Sequence, residues 1–511
     1  MPVSQLGQIN TTALVVPDLY VQIVPPQTQY LNGVPTNILG IVGTASWGPT
    51  NSPTTVGNMA QFAAIFGNPN VRKYDLGTQA ATAVLQGANN FKVVRVTDGT
   101  DLAAAVIAQT NCCTFTSKYT GTYGNNIQVT LSAGSKSNTW KVVVGASGLV
   151  PEAFDNIGAG LTGNALWVAI AAAINNGTNS LRGPSQIIVA TAGAGTTAPA
   201  AATLSLTGGT DGATTITSAV LLGQDTVPRT GMYALRNTGA SVAMLADCDD
   251  PTSWSTQVAF GLSEGMYMIM TGPSGDTIAN AVTVKATAGI DSYAGKLMLG
   301  DWVYWLDTYN NQLRVVSPQG FIAGLLANLA PQNSSLNKQL QGIVGTQKSY
   351  VNQQYSSAEL QQLGIAGIDV ITNPVPGGAY FGARFGHNTS SNSVANGDNY
   401  TRMTNYIAYT LNAGMGKFVG QLQSATVRGQ AMATISAFLD NLQQQGMIGD
   451  PNGGAAYSVV LDASNNPSSR VALGYMQADV KVKYLAVIEK FLINVEGGAS
   501  VQINKQQTAL A

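Results

Sequence analysis

The sequence predicts a multidomain fold of the α/β and α+β classes in which the domains are nested. Three observations lead to this prediction. The chain has 511 residues, whereas an ordinary domain has roughly 100–200. Helix-like and strand-like segments alternate over residues 36–97 and again after residue 210, and the segment between them carries mostly short strand-like stretches. From about residue 387 the pattern changes again, to long helices followed by strands.

An amino-terminal arm is predicted for residues 1–26. It contains a strand that has no local partner and is followed by the stiff pair Pro25-Pro26. The strand is indicated by three alternating apolar residues, Leu19, Val21 and Ile23. We therefore expect it to pair with a distant part of this chain or with another chain.

A central layered α/β domain is predicted for residues 27–97 and 210–386. It opens with a strand at 38–42, helices at 59–66 and 75–86, and a strand at 91–96; Gly67 is the expected C-cap of the first helix. We expect the later strands to share one sheet with these two, and they are predicted at 241–245, 266–270, 302–306 and 368–372. The helices that separate them are predicted at 253–262, 277–286 and 319–329.

Residues 98–209 are predicted to form a β-rich insertion into the central domain. The composition shifts there to Thr, Ser, Ala and Gly with short alternating stretches, interrupted by one helix at 165–174. The strands are predicted at 127–131, 140–144, 187–190 and 204–206.

The carboxy-terminal part divides into an α+β domain, residues 387–484, and a strand-rich arm, residues 485–511. Helices are predicted at 400–413 and 425–445, the second ended by Gly446, and strands at 457–461 and 479–485. In the arm, apolar residues alternate at Val487, Phe491, Ile493 and Val495, and after Gly497-Gly498 at Val501 and Ile503. The two ends of the chain thus carry similar unpartnered strands.

The chain carries unusually little charge. Charged residues make up 10% of it, against about 25% in a typical soluble domain, and the net charge is −1. Such a surface lacks the usual protection against association, which favours a protein that packs against copies of itself over a weakly charged secreted protein. No basic cluster suits nucleic-acid phosphates, and the longest apolar stretch, 166–174, is about half a membrane helix.

The sequence offers no catalytic constellation. The only histidine, His387, lies in a polar loop and is interpreted as a solvated residue rather than a general base. Asp247, Asp249 and Asp250 form the tightest acidic cluster, which helix capping explains better than a bound cation. We therefore predict no catalytic residues, no cofactor and no metal site.

Four blocks of sequence occur in an order that has a parallel in a known family. Residues 36–67 contain a strand ending in GxxG, a GP dipeptide and a helix ending in F-x-x-x-FG. The others are FKVVRV at 91–96, LTGGTDG at 206–212, and SPQGFIAG at 317–324 followed by Ala330-Pro331. Together they resemble the contractile-tail sheath proteins of tailed bacteriophages. The resemblance covers most of the chain and is weakest over about 98–204.

The resemblance implies a structural role without enzymatic activity. Sheath subunits form stacked hexameric rings around the tail tube and contract to drive the tube through the host envelope for genome delivery. The implied partners are further copies of this chain, the tail tube protein, and the baseplate and tail terminator proteins, with no nucleic acid and no membrane insertion. The implied location is the virion tail, with assembly in the host cytoplasm.

The resemblance also implies roles for the domains and for individual residues. The insertion becomes the outer domain, and residues 387–484, completed by the chain termini, become an inner domain facing the tube. The two arms add strands to sheets of neighbouring subunits, with Pro25, Pro26, Gly497 and Gly498 as hinges. Lys417 and Arg428 are the candidate tube contacts, with ordinary solvated helix charges as the alternative.

The chain departs from the family pattern in its charge. Many members carry a basic run ahead of the carboxy-terminal helices, where this sequence has only Arg402, so charge pairing with the tube is expected to be weak. Three other functions stay open: the sheath of a headless contractile bacteriocin, another self-assembling shell protein, and, more distantly, an α/β enzyme with an inserted domain.

Overall fold

The fold is described from a computed structural model of the chain. The structure describes residues 31–179, 182–495 and 497, together with the strand residues 3–4 and 21–22. The latter form β1 (Val3–Ser4) and β2 (Val21–Gln22), which pair in parallel, so the expectation that the amino-terminal strand has no local partner is wrong at Val21 and Gln22. Several predicted arm residues lie outside the described residues, namely Leu19, Ile23, Pro25, Pro26, Gly498, Val501 and Ile503.

The first part of the central domain follows local sequence signals closely. Asn58 and Asp75 cap two helices by accepting hydrogen bonds from the backbone N–H three residues later, and Gly67 ends the first helix at φ +83°. The elements are β3 (Leu39–Gly43), β4 (Thr54–Val56), α1 (Met59–Phe66), α2 (Leu76–Leu85) and β5 (Phe91–Arg95).

Among the described residues, the insertion consists of two antiparallel sheets and one α-helix around a shared core. The sheets have the strand orders β11-β7-β6 and β10-β9-β8-β12. Phe115, Phe154 and Trp167 are fully buried in this core, which also receives Trp47 from the central domain. The elements are β6 (Ala105–Ala108), β7 (Cys113–Ser117), β8 (Gln128–Ala133), β9 (Trp140–Gly145), β10 (Glu152–Ile157), α3 (Gly163–Asn176), β11 (Ile188–Ala192) and β12 (Ala202–Ser205).

The chain then returns to the central domain. Its elements are α4 (Ser218–Leu222), β13 (Val242–Leu245), α5 (Trp254–Glu264), β14 (Tyr267–Thr271), α6 (Ile278–Ala288), β15 (Gly295–Met298), β16 (Val303–Asp307), β17 (Gln312–Val316), α7 (Gln319–Asn328), β18 (Ile343–Thr346), α8 (Gln347–Tyr350), α9 (Ser357–Ala366), β19 (Ile371–Thr372) and β20 (Gly382–Ala383).

The central sheet has six strands in the described chain, in the order β15-β14-β13-β3-β5-β4. All neighbours are parallel except the antiparallel edge strand β4. Helices α2 and α7 pack against one face, in a core that contains Ile41, Val93 and Phe321. Burial on both faces explains why the inner strands β3, β13 and β14 are almost wholly apolar.

The expectation that all the later strands share this sheet is wrong for the strand near 302–306, which is β16 and pairs with β17 and β18 in a separate antiparallel sheet. The segment predicted at 368–372 meets the edge of the central sheet through one parallel bridge, between Asp369 and Met298 of β15, and its end, β19, pairs with β20. A parallel neighbour requires a crossover of about a dozen residues or more. Only four residues, 299–302, separate β15 from β16, so β16 cannot continue the parallel sheet.

The carboxy-terminal domain packs two long helices against a small sheet. Its elements are α10 (Asp398–Met415), α11 (Ala425–Gln444), β21 (Tyr457–Val460), α12 (Ser468–Val471) and β22 (Asp479–Val482). The predicted apolar face of α11 is confirmed, since Ile435, Phe438, Leu439 and Leu442 are all buried.

Candidate assembly surface

The small sheet of the carboxy-terminal domain has one packed face and two open edges. β21 and β22 are antiparallel, with Tyr457 opposite Val482. Val459 and Val480 pack towards α10 and α11. Each strand has one edge with no strand partner among the described residues. An unpaired edge presents a row of backbone N–H and C=O groups to which a further strand can be added.

The chain beyond β22 is held against the body for several residues. Lys483 donates its backbone N–H to Ala456 O at 2.8 Å, and its ammonium group pairs with Asp450. The Tyr484 hydroxyl lies 3.2 Å from the Thr404 hydroxyl. This segment borders a groove of about 1160 Å³ that α9, the loop at residues 384–397 and the first turn of α10 line on the other side.

The following residues are exposed apolar side chains outside any helix or strand. Phe491 is 83% exposed, Leu492 82%, Ile493 64% and Val495 87%. A contiguous run of this kind marks an interaction site on a soluble protein. We call residues 491–495 the apolar strip. The strip includes the predicted arm residues Phe491, Ile493 and Val495, while Val487 is half-buried at the groove.

The remaining predicted site residues are distributed as follows. Val21 lies in β2, with its backbone opposite Val3. Gly497 has open space around its Cα. Lys417 lies in the turn after α10, above the Phe418 ring at 5.2 Å, and Arg428 is half-buried in the first turn of α11. The last two therefore flank the connection between the two helices.

That connection carries a feature that was not predicted. Val419 is 85% exposed and Leu422 is 92% exposed, so its tip is apolar rather than basic. Neither residue belongs to a periodic pattern, and exposure of an isolated apolar residue in a loop cannot be read from sequence.

Only Asp250 of the acidic cluster caps a helical turn as predicted, while Asp247 and Asp249 make other contacts within the fold. Asp250 accepts the Thr252 N–H at 3.0 Å and caps the turn before α5, and Asp249 pairs with Lys73 at 2.8 Å. Asp247 is buried and accepts hydrogen bonds from the Tyr74 N–H and the Gln79 amide. In the described part of the chain no group of three or more His, Cys, Asp or Glu side chains could hold a metal ion.

His387 differs from its predicted state. Its side chain is only 13% exposed, so it is not a solvated loop residue. The ring stacks on Phe385, with 6.1 Å between centroids, and Nε2 lies 2.8 Å from Glu489 Oε1. The prediction was wrong because Glu489 is 102 positions away in the sequence.

A similar fold occurs in solved structures. The chain is similar to the sheath tail protein of Desulfitobacterium hafniense, with a TM-score of 0.59 and 15% identity over 86% of this chain and 93% of that one. The corresponding values for the sheath tail protein of Listeria innocua are 0.61, 13%, 89% and 96%. The chain has the contractile-sheath fold.

The chain is also similar to a sheath protein whose structure was solved in an assembled particle. The sheath of PVC, an extracellular contractile injection system, in its contracted state matches with a TM-score of 0.55 and 10% identity over 96% of this chain and 99% of that one. No protein-family model and no curated protein matches the sequence. The likeness therefore lies in the three-dimensional arrangement, and it confirms the predicted fold class. Among the described residues, every helix is too short or too polar to span a membrane.

Proposed function

We propose that the chain is the structural subunit of a contractile phage tail sheath. It polymerises as stacked hexameric rings around a tail tube, and contraction of the polymer drives the tube through the host envelope for genome delivery. The observation that carries this proposal is the sheath fold, which extends over 86–96% of the chain and 93–99% of the sheath proteins compared. The particle would then assemble in the host cytoplasm and remain part of the virion tail.

Assembly proceeds by strand addition between copies of the chain. The open edges of β21 and β22 supply acceptors, and the apolar strip supplies a segment that makes no strand in its own subunit. The arm residues Val487, Val501 and Ile503 extend the donor segment. The amino-terminal arm with Leu19, Val21 and Ile23 supplies a second one, in which β2 pairs on one edge with β1 of its own subunit and offers its other edge to a neighbour. Backbone hydrogen bonds between arms and sheets tolerate rotation of the bodies about hinges at Pro25, Pro26, Gly497 and Gly498.

Contraction uses free energy stored at assembly and needs no bound nucleotide. Burial of one large apolar side chain contributes about 1.5–3 kcal/mol, so a small difference per subunit becomes decisive over many rings. The scarcity of charge helps, because interfaces of neutral side chains can break and re-form without burying an unpaired ion. An enzymatic role is not part of the proposal.

The domains take up different positions in the particle. Residues 98–209 form its outer surface and residues 387–484 face the tube, where Lys417 and Arg428 contact the tube protein. The ends of the sheath contact the baseplate and tail terminator proteins.

Replacement of Phe491 by aspartate tests the strand-addition step. Because Phe491 is 83% exposed, Phe491→Asp should leave the melting temperature of the free subunit unchanged while abolishing tubes and rings in negative-stain images. Val150→Asp is the matched control, since Val150 is 85% exposed in the insertion, and this variant should still assemble. Normal sheaths from Phe491→Asp would contradict the proposal, and a large loss of thermal stability would place Phe491 in the subunit's own core.

A further inference from the structure

Three buried charged residues form a fixed point beneath the groove. Lys296 Nζ lies 2.6 Å from Asp369 Oδ2 and 3.1 Å from Asp398 Oδ1, and none of the three side chains is exposed. We call them the Lys296 cluster. It joins β15 of the central sheet, the segment before β19 and the first residue of α10. Breaking a buried ion pair of this kind costs about 3–5 kcal/mol, so the cluster is a rigid part of the molecule.

The Lys296 cluster fixes the backbone of the loop that carries His387. Lys296 Nζ donates to His387 O at 3.0 Å. Asp369 accepts the N–H groups of Phe385 and Gly386 at 3.0 and 2.9 Å. The Asp398 N–H donates to Gly386 O at 2.9 Å. The backbone at His387 therefore cannot move without breaking hydrogen bonds to buried charges.

The fixed imidazole holds the carboxy-terminal arm. A carboxylate only accepts hydrogen bonds, so in this contact the Nε2–H of His387 is the donor and Glu489 Oε1 is the acceptor. On the body side of this contact the arm is also held at Leu485 O, which accepts from the Asn399 amide at 3.3 Å. Beyond Glu489, the described residues 490–495 and 497 make no hydrogen bond or ion pair with the body. The His387–Glu489 bond is thus the last polar contact before the apolar strip.

We propose that His387 and Glu489 are positioning residues that clamp the arm, so that its free part begins at Lys490 and leaves the body in a fixed direction. This inference rests on the proposed function. It adds a second point about which the arm can turn, directly after Glu489, which lies nearer to the body than the hinge at Gly497. A segment held in its docking direction loses less conformational freedom when it adds to a neighbour, which strengthens the contact between subunits. The clamp also transmits force from the arm to the central sheet, because the backbone of His387 is hydrogen-bonded to Lys296 in β15.

The clamp can be tested in the full-length chain without relying on polymerisation. Spin labels are attached to Leu422→Cys and Ile488→Cys, both at exposed positions and the second next to Glu489 on the held side of the arm, while the native cysteines are buried. Labelled chain is diluted with unlabelled chain so that only distances within one chain are measured by double electron–electron resonance. We expect a narrow distance distribution, its loss in Glu489→Ala and in His387→Ala, and substantial recovery in Glu489→Gln, whose amide oxygen still accepts the hydrogen bond.

Two further variants test whether the effect comes from the bond between His387 and Glu489. Lys490→Ala removes the neighbouring charge without removing a contact, so it should keep the narrow distribution. The double variant His387→Ala/Glu489→Ala should be no broader than either single variant, because both remove the same bond. Unchanged distributions in the single variants, or broadening that adds up in the double variant, would overturn the clamp. Failure of the wild-type chain to form sheaths would instead overturn the proposed function and leave this measurement intact.

Discussion

Asp247 shows how a single buried carboxyl group affects the stability of this fold. Burial raises its pKa to about 6, and its backbone adopts φ +50°, a conformation that asparagine also tolerates well. The folded state therefore holds the proton more tightly than the unfolded state does. The stabilisation that results is complete below about pH 4 and is lost as the pH rises through about 6, a change of about 3 kcal/mol.

Asp247→Asn should remove this pH dependence. We expect the variant to match the wild type near pH 4 and to exceed its free energy of unfolding by about 1–3 kcal/mol near pH 8. The amide of the introduced asparagine can donate to Gln79 Oε1, which is buried without a partner, once the Gln79 amide turns over. Denaturant titrations across this pH range measure the effect. Asp249→Asn, which only removes the partner of Lys73, should show no gain, and equal pH slopes for Asp247→Asn and wild type would contradict the argument.

At the scale of elements, α2 and α7 pack so closely that glycine is required between them. A Cβ at Gly324 would lie 2.5 Å from Ala83 Cα, and one at Gly320 would lie 2.1 Å from the Thr82 hydroxyl oxygen. Contacts with backbone atoms cannot relax by a change of rotamer. Both glycines belong to the block SPQGFIAG. Close packing of α2 against α7 therefore explains why glycine stands at these two positions of the block.

Gly324→Ala should therefore destabilise the chain although alanine favours helices. We expect the clash with backbone atoms to cost about 3 kcal/mol, the upper end of the overpacking range, which exceeds the gain of about 1 kcal/mol in helix propensity. Gly429→Ala in α11 is the matched control, because nothing lies within 4 Å of its added Cβ, and it should stabilise by about 0.5–1 kcal/mol. Thermal melts of the two variants should move in opposite directions, and a stable Gly324→Ala would mean that α2 and α7 lie further apart.

Local sequence signals predicted single helices and strands well. Contacts between residues that are far apart in the sequence could not be predicted from such signals. The helix at Met59–Phe66 and its Gly67 cap follow from spacing and from a residue type that suits positive φ. Strand β15 went unrecognised because Lys296 interrupts its apolar pattern, and its partners Asp369 and Asp398 lie 73 and 102 positions away. In the assembly surface, the alternation of apolar residues indicated the arm, but the contact between His387 and Glu489 has no local signature.

At the scale of the whole molecule, the insertion is connected to the central domain at closely spaced points. The Asp98 N–H donates to Gly212 O at 2.8 Å, and Leu102 pairs with Thr210. Trp47 of the central domain enters the core of the insertion and packs against Tyr119 and Tyr123, with 5.3 Å between ring centroids in each case. An entry and an exit so close together are what allow a domain to be inserted without disturbing its host.

We therefore predict that residues 98–212 fold as an isolated fragment. Their core is complete except for Trp47, so the fragment should melt cooperatively, with dispersed amide resonances, at a lower temperature than the insertion does in the full chain. Trp167→Ala within the fragment should abolish the cooperative transition, because this fully buried indole fills the core and donates to Thr197 O at 2.7 Å. Val168→Ala on the exposed side of the same helix is the control and should change little. A fragment without any cooperative transition would show that the insertion is not a domain and that its boundaries at 98 and 209 are misplaced.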